Sequence, residues 1–362
     1  MRVLHVFSQL ERGGAELRTI TLAKKLQKYG IYFDYICLSG KRGSLDDYVK
    51  RDGSKIFYIN INDINFFYRF NKLLRNENYQ VVHSHVLYIS GLIQFFAWLN
   101  KVTVRISHFR STGSGRNEGY IKRSANKLLL KCICVFSTNI ICVSESVKNV
   151  FLSGNDLYKK KFEVIYNGFD EETITEGSKK EKIIVHIGRM ISDKNHIKVL
   201  EVFNQINKID PEYKILLIGK IDKKIMQNLT QYIDSNNLGD KVDFKGIQND
   251  IPNHIKNISL MIYPSLREGL PGGVIEVLIN NIPVLASDIK PIKELVQFFP
   301  HLECLNTEED NKLWAIKALS LIEKYKNINN NKEDKVNSLR NSTFSIEKNI
   351  REIIKIYKNI KT

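Results

Sequence analysis

Between Leu260 and Asp288 the chain reads LMIYPSLREGLPGGVIEVLINNIPVLASD, and its chemistry-bearing residues are two glutamates and a group of glycines. Glu268 and Glu276 stand eight positions apart, with Gly269, Leu270, Pro271, Gly272 and Gly273 between them. The glycines let a ligand approach the main chain, and the free amides and positive dipole end of a helix starting there attract an anion of phosphate size. The carboxylates cannot neutralise a phosphate, but they accept hydrogen bonds from hydroxyls. A ligand with both phosphate and sugar hydroxyls is a nucleotide sugar. Two glutamates at this spacing also mark an ordinary solvated helix face, and the spacing alone does not choose.

Such residues need elements to hold them. The runs LMIYPS and IPVLASD read as buried strands flanking one helix, with Pro271 in its first turn and Asn280 and Asn281 as stop residues. The same alternation precedes them in IIVHIGR, YKILLIG and VDFKG. Gly188 and Arg189 end the first of these runs and Lys194 follows near the next helix, a forked donor and a point charge suited to a diphosphate or to an ordinary surface. The first half repeats the scheme: RVLHVFS, a helix from about Ala15 to Tyr29, DYICLS, KIFYI, VVHSHV, VRISHF and NIICVS. Strands alternating with helices predict an α/β chain of two doubly wound, Rossmann-like domains with parallel sheets facing one cleft, where ligands lie beyond the carboxyl ends of the strands. Gly13 and Gly14 follow the first strand at a helix start, and His108 ends VRISHF. His83 and His85 share a face of one strand; no third metal ligand lies nearby in sequence, so they read as core or wall residues. The boundaries are 1–168 for the first domain, 169–182 for a charged linker, 183–343 for the second domain and 344–362 for a tail whose Ile346, Ile350, Ile353 and Tyr357 form one helical stripe.

A chain of 362 residues with 43% hydrophobic residues can bury two cores, and its net charge of +16 suits either an evenly basic surface or an anionic partner. Five cysteines without ligand-like spacing read as buried thiols of a reducing compartment. MRVLHVFSQLERGGAE lacks the pattern of a signal peptide, and the apolar segment 87–100 is too short to span a bilayer, which points to the cytoplasm. Two stretches, 64–75 and 116–136, interleave Lys and Arg with large apolar residues, among them Lys122, Arg123, Lys127 and Lys131. They fit surface helices or a peripheral contact with the anionic inner face of the cytoplasmic membrane.

The ordered set GGAE, GR-x4-K and EG-x-P-x4-E resembles the signature of retaining glycosyltransferases of the GT-B fold, in family four. The resemblance covers nearly the whole chain and is strongest from 183 to 290. It implies transfer of a hexose or N-acetylhexosamine from a nucleotide sugar, expected to be UDP-linked, to a saccharide or polyprenyl-diphosphate-linked acceptor in bacterial surface polysaccharide synthesis. It implies donor contacts from Gly14, Gly188, Arg189, Lys194, Gly219, Phe244, Gly246, Gly269, Leu270, Pro271, Gly272 and Gly273. Arg189 and Lys194 would hold the diphosphate, Glu276 the ribose, and Glu268 and His108 the transferred sugar. Asn167, Gly168 and Asp170 resemble the family's hinge, and the tail its returning helix. No cofactor or metal is implied, in keeping with the lack of an Asp-x-Asp pair. Gly273 stands where larger residues are common and Val277 where Ala is usual, which bears on donor preference. The same fold also hosts sugar-nucleotide epimerases and silent glycan-binding relatives. A nucleic-acid-binding protein is suggested by charge alone, and no binding motif supports it.

Overall fold

The computed structural model describes residues 1–113, 119–176, 180–248, 250–328 and 330–358. The chain divides into two compact units, Met1–Gly168 with Ile346–Thr362, and Phe169–Ser345.

The first unit is a parallel sheet of β1 (Arg2–Phe7), β2 (Tyr32–Cys37), β3 (Ile56–Tyr58), β4 (Val81–Ser84), β5 (Val104–Phe109), β6 (Asn139–Cys142) and β7 (Phe162–Val164), in the order β3-β2-β1-β4-β5-β6-β7. Every strand is parallel to its neighbours. The strands are short and mostly buried because helices cover both faces, as expected for connections that must cross over between parallel neighbours. The C-terminal helix Ile346–Tyr357 belongs to this unit. Its Ile350 and Ile353 are buried with Val3, Phe33 and Ile106, and the Asn349 amide donates to the Tyr166 carbonyl at 2.7 Å.

The second unit carries β8 (Ile183–Ile187), β9 (Lys214–Ile218), β10 (Val242–Gly246), β11 (Leu260–Tyr263), β12 (Val284–Ser287) and β13 (Leu302–Leu305), in the order β10-β9-β8-β11-β12-β13. Its core joins Ile184, Leu217, Leu260 and Leu285 with Val199, Phe203 and Trp314 of the covering helices. Both sheets are thus doubly wound, as the alternating pattern predicts.

Two strands were not legible in the alternation. β7 and β13, three and four residues long, each close one edge of a sheet. The segment read as a linker is held by the second unit wherever it is described. The Asn280 side chain accepts from the Thr175 amide at 2.8 Å and donates to the Thr173 carbonyl at 2.9 Å, and Phe169 and Ile174 are buried.

Candidate functional site

Both sheets reverse their strand order once, between β1 and β4 and between β8 and β11. At such a switch point neighbouring connections leave to opposite faces, and the gap beyond the carboxyl ends is the place for a ligand.

At the β8/β11 switch the structure gathers residues spread over 75 positions of sequence. Lys194 ends a 3-10 turn, Ser192–Lys194, that follows β8, and the helix His196–Ile209 begins two residues later. Lys194 is ion-paired to Glu268, and its Nζ also donates to the Tyr263 hydroxyl at 2.6 Å. Tyr263, the last residue of β11, donates to Glu268 Oε1 at 2.6 Å, and Ser265 Oγ lies 2.8 Å from the same oxygen. The loop after β11 clasps the turn, because the Leu266 amide and Ser265 Oγ reach the Asp193 carbonyl at 2.7 and 3.0 Å. The Lys194 and Glu268 side chains are 16% and 9% exposed, so the pair sits where solvent screening is weak. Burial, and then the Glu268 charge, hold the Tyr263 phenol well above its ordinary range, so it remains a donor.

The glycines expected at the donor end three adjoining strands. Gly188 follows β8 and its amide donates to the Ile218 carbonyl; Gly219 follows β9 and its amide donates to the carbonyl of Gly246, the last residue of β10. Gly219 is obligatory: its φ is +152°, and a Cβ there would lie 1.9 Å from the Gly188 carbonyl oxygen. Phe244 is half-buried in β10. Arg189 is exposed at the rim, outside the Lys194–Glu268 cluster.

The helix after the glycine loop runs Gly272–Leu278, so Pro271 precedes it as the capping residue rather than lying in its first turn. Gly269 and Pro271 are buried, Leu270, Gly272 and Gly273 half-buried, and a Cβ on Gly273 would only touch Ile187. Glu276, half-buried, stands on the second turn. Asn281, at φ +56°, ends the helix as expected.

At the β1/β4 switch of the first unit, Gly14 is exposed at the start of the helix Gly14–Leu26. His108, near the end of β5, is buried within a cluster of histidines. The sequence reading that no third ligand accompanies His83 and His85 is corrected here. The β1–β4 register sets His5 beside His83, and nitrogens of His5, His83 and His85 lie within 4.8 Å of one another. A partner from a neighbouring strand carries no signal in local spacing. The donor set does not suit a cation, however: His85 accepts from the Arg110 guanidinium at 3.1 Å, and His5 Nδ1 faces His85 Nε2 at 3.0 Å. A metal would have to break these bonds beside a fixed positive charge. Burial, first of all, lowers all four histidines well below their ordinary value, so they are neutral. Tyr263, Ser265, His5, Arg110 and Tyr357 went unnoticed as site residues, each a polar group inside an apolar run or stripe.

Two doubly wound parallel sheets, with a half-buried lysine–carboxylate cluster and glycine-ended strands at one switch point, are the frame of a nucleotide-sugar-dependent transferase class, and the chain belongs to the glycosyltransferases. The family model of glycosyl transferases group 1 matches residues 169–301 and that of glycosyltransferase family 4 matches residues 12–173. Among curated relatives, the capsular polysaccharide biosynthesis glycosyltransferase CapH of Staphylococcus aureus is 34% identical over 360 residues, 99% of this chain and 98% of that protein. The UDP-Gal:alpha-D-GlcNAc-diphosphoundecaprenol alpha-1,3-galactosyltransferase of Escherichia coli is 28% identical over 71% of this chain and 72% of its own. Among solved structures, Anabaena HepE in complex with UDP-glucose shares the fold at a TM-score of 0.80 and 15% identity, covering 99% of this chain and 100% of that one.

Proposed function

We propose that this glycosyltransferase moves a hexose or N-acetylhexosamine, with retention, from a UDP-sugar to a polyprenyl-diphosphate-linked saccharide of a bacterial surface polysaccharide. The observation that carries the reading is the Lys194–Tyr263–Glu268–Ser265 cluster at the β8/β11 switch. An ammonium has three N–H groups. Glu268 and Tyr263 take two, and the third serves a phosphate oxygen of the donor. Lys194, Arg189 and the amides of the glycine loop stabilise the charge that develops on the leaving diphosphate, so the chemistry asks for no metal. Lys194 and Tyr263 both donate to Glu268 Oε1, with Ser265 Oγ 2.8 Å from it, which leaves Oε2 to accept from a hydroxyl of the transferred sugar. Glu276 accepts from the ribose, His108 hydrogen-bonds the sugar, and Gly14 approaches the diphosphate. Gly188, Gly219, Phe244 and Gly246 flank the nucleotide. The names of CapH and of the Escherichia coli galactosyltransferase support the pathway and the lipid-linked acceptor, and the HepE complex supports a UDP-sugar.

Incubation with a panel of radiolabelled nucleotide sugars and a membrane lipid extract tests the reading. Transfer of label into lipid from a UDP-sugar, with an α product by NMR and full activity in EDTA, is expected. Interconversion of UDP-sugars without transfer, an inverted product, or a strict need for Mn²⁺ would each overturn the corresponding part.

A second observation bears on where the acceptor is met. The helices Phe66–Glu77, Ser90–Leu99 and Tyr120–Phe136 are joined by an aromatic row in which Phe67 stacks on Phe96 at 4.8 Å and Phe95 and Trp98 meet Phe136 at 5.0 and 5.2 Å. Tyr120, Ile121 and Leu128 are exposed on the same helix as Lys122, Arg123, Lys127 and Lys131, and Tyr68 and Trp98 are exposed on the two other helices. Part of the basic stretch from Arg116 lies outside the described residues. No helix among those described is long and apolar enough to cross a membrane. This face suits reversible contact with the anionic cytoplasmic leaflet and a cytoplasmic, peripheral enzyme.

A further inference from the structure

The histidines of the first unit, His5, His83 and His108 buried and His85 half-buried, form a single file. Arg110 Nε donates to His85 Nδ1 at 3.1 Å, His85 Nε2 meets His5 Nδ1 at 3.0 Å, and His5 Nε2 meets the Tyr357 hydroxyl at 3.2 Å. That hydroxyl meets His83 Nδ1 at 2.8 Å, and His83 Nε2 meets His108 Nδ1 at 3.1 Å. His108 Nε2, at the far end, is buried and has no hydrogen-bond partner among the described residues.

One member of the file has a fixed role. A guanidinium can only donate, and a neutral imidazole carries one proton on one of its two nitrogens. Because His85 Nδ1 accepts from Arg110, its proton is on Nε2 and is donated to His5. His5 then carries its proton on Nε2 and donates to Tyr357, whose hydroxyl donates to His83. His83 donates from Nε2 to His108 Nδ1, and the proton of His108 is left on Nε2. Without Arg110 the same rings could run the opposite way, and His108 Nε2 would then offer a lone pair. Arg110 is itself held by Asn167 Oδ1 at 3.0 Å and Thr19 Oγ1 at 3.1 Å.

We propose that Arg110 is a positioning residue that acts through His85, His5, Tyr357 and His83 to fix His108 as an Nε2–H hydrogen-bond donor. His108 therefore presents a proton to an acceptor oxygen of a sugar or phosphate and cannot serve as a general base. A buried N–H left without an acceptor is destabilising, so a ligand oxygen placed at that point gains the hydrogen bond that the fold leaves unmade. The relay also gives the C-terminal helix a chemical duty, since Tyr357 is its central link. The inference rests on the reading that His108 faces the transferred sugar.

The test is a long-range ¹H–¹⁵N spectrum of histidine-labelled protein at neutral pH, with resonances assigned by single substitutions. All four imidazoles should show the Nε2–H tautomer. Tyr357→Phe keeps the ring but cuts the file, so His83 and His108 should move towards tautomer-averaged shifts while His85 stays fixed. If the freed pair divides between its two arrangements, the competent fraction halves and kcat should fall about twofold. Arg110→Met should average all four rings, and Arg110→Lys, which restores a donor, should recover the ordered spectrum. An Nδ1–H His108 in the native protein, or unchanged His108 signals in Tyr357→Phe, would overturn the proposal, as would tight Zn²⁺ binding by calorimetry that shifts His5 and His85. His108→Ala separates the two ideas. Full activity there together with the ordered native spectrum removes the sugar contact and leaves the relay. Lost activity together with a disordered native spectrum does the reverse.

Discussion

Lys194 stands between a carboxylate, a phenol and the place proposed for a diphosphate, so its removal should be felt in the chemical step. Lys194→Ala and Arg189→Ala should each lower turnover by roughly 10²-fold, the scale for losing a preorganised donor to developing charge. Initial rates at saturating donor check this, and near-normal rates in both would remove the clamp. Tyr263→Phe tests the cluster more finely, since it deletes the hydroxyl that bridges Lys194 and Glu268 without changing the apolar surface. A fall in kcat with little change in KM is expected if the bridge orients Glu268 for the transferred sugar. Glu276→Ala should raise the donor KM and Glu268→Ala should lower kcat; the opposite pattern would mean that their roles are exchanged.

At the scale of the elements, the second sheet depends on strand ends that pack closer than any side chain allows. Gly219→Ala would set a methyl against the Gly188 carbonyl at a backbone angle that L residues avoid. It should cost on the order of 1–3 kcal/mol and lower the urea midpoint. An unchanged midpoint would show that the β8 and β9 ends can separate freely. The C-terminal helix makes the corresponding demand in the first unit. Ile350 is fully buried there, and Ile350→Ala should cost roughly 2–5 kcal/mol by chemical denaturation. A loss within the range of a surface substitution would place the helix outside the folding unit.

For the whole molecule the buried histidines set a pH limit. His5, His83, His85 and His108 in the first unit, and His186, His196 and His301 in the second, all have lowered values, chiefly through burial; His196 falls to about 4. Above about pH 6.5 both folded and unfolded chains carry them neutral. Below it the unfolded chain takes up protons that the folded one refuses, so stability is lost as the pH falls from about 6.5 towards the folded values. The slope is about 1.4 kcal/mol per histidine per pH unit. Urea midpoints should therefore drop clearly between about pH 7.5 and pH 5.5, and a flat profile would mean that the imidazoles are protonated inside the fold. The charge of +16 makes the other prediction at this scale. The protein should sediment with vesicles containing phosphatidylglycerol, ignore phosphatidylcholine and be released by salt near 1 M, where screening is nearly complete. Neutralising Lys122, Arg123, Lys127 and Lys131 together should weaken the association and leave UDP-sugar binding intact. Unchanged vesicle binding would exclude that helix as the contact.

Most of the framework was legible in the chain itself. Runs such as RVLHVFS and KILLIG are mostly apolar because parallel strands are covered on both faces, and glycines and prolines punctuate them. Eleven of the strands, the α/β class and the candidates Lys194 and Glu268 could be read from local pattern, and Gly219 from the family resemblance. β7 and β13 could not, because a glutamate interrupts each of these short runs, FEV and LECL, where the equally short β3 reads IFY. The partners of the chemical groups were equally hidden. That Tyr263 bridges Lys194 to Glu268 follows from the adjacency of β8 and β11, and that His5 meets His83 and Tyr357 follows from the register of β1 with β4 and the return of the C-terminal helix to the first unit. Local pattern records which face of an element is apolar. Hydrogen-bond partnership between residues 274 positions apart, as in His83 and Tyr357, is fixed only when burial forces each polar group to find the one donor or acceptor that the packed fold sets within reach.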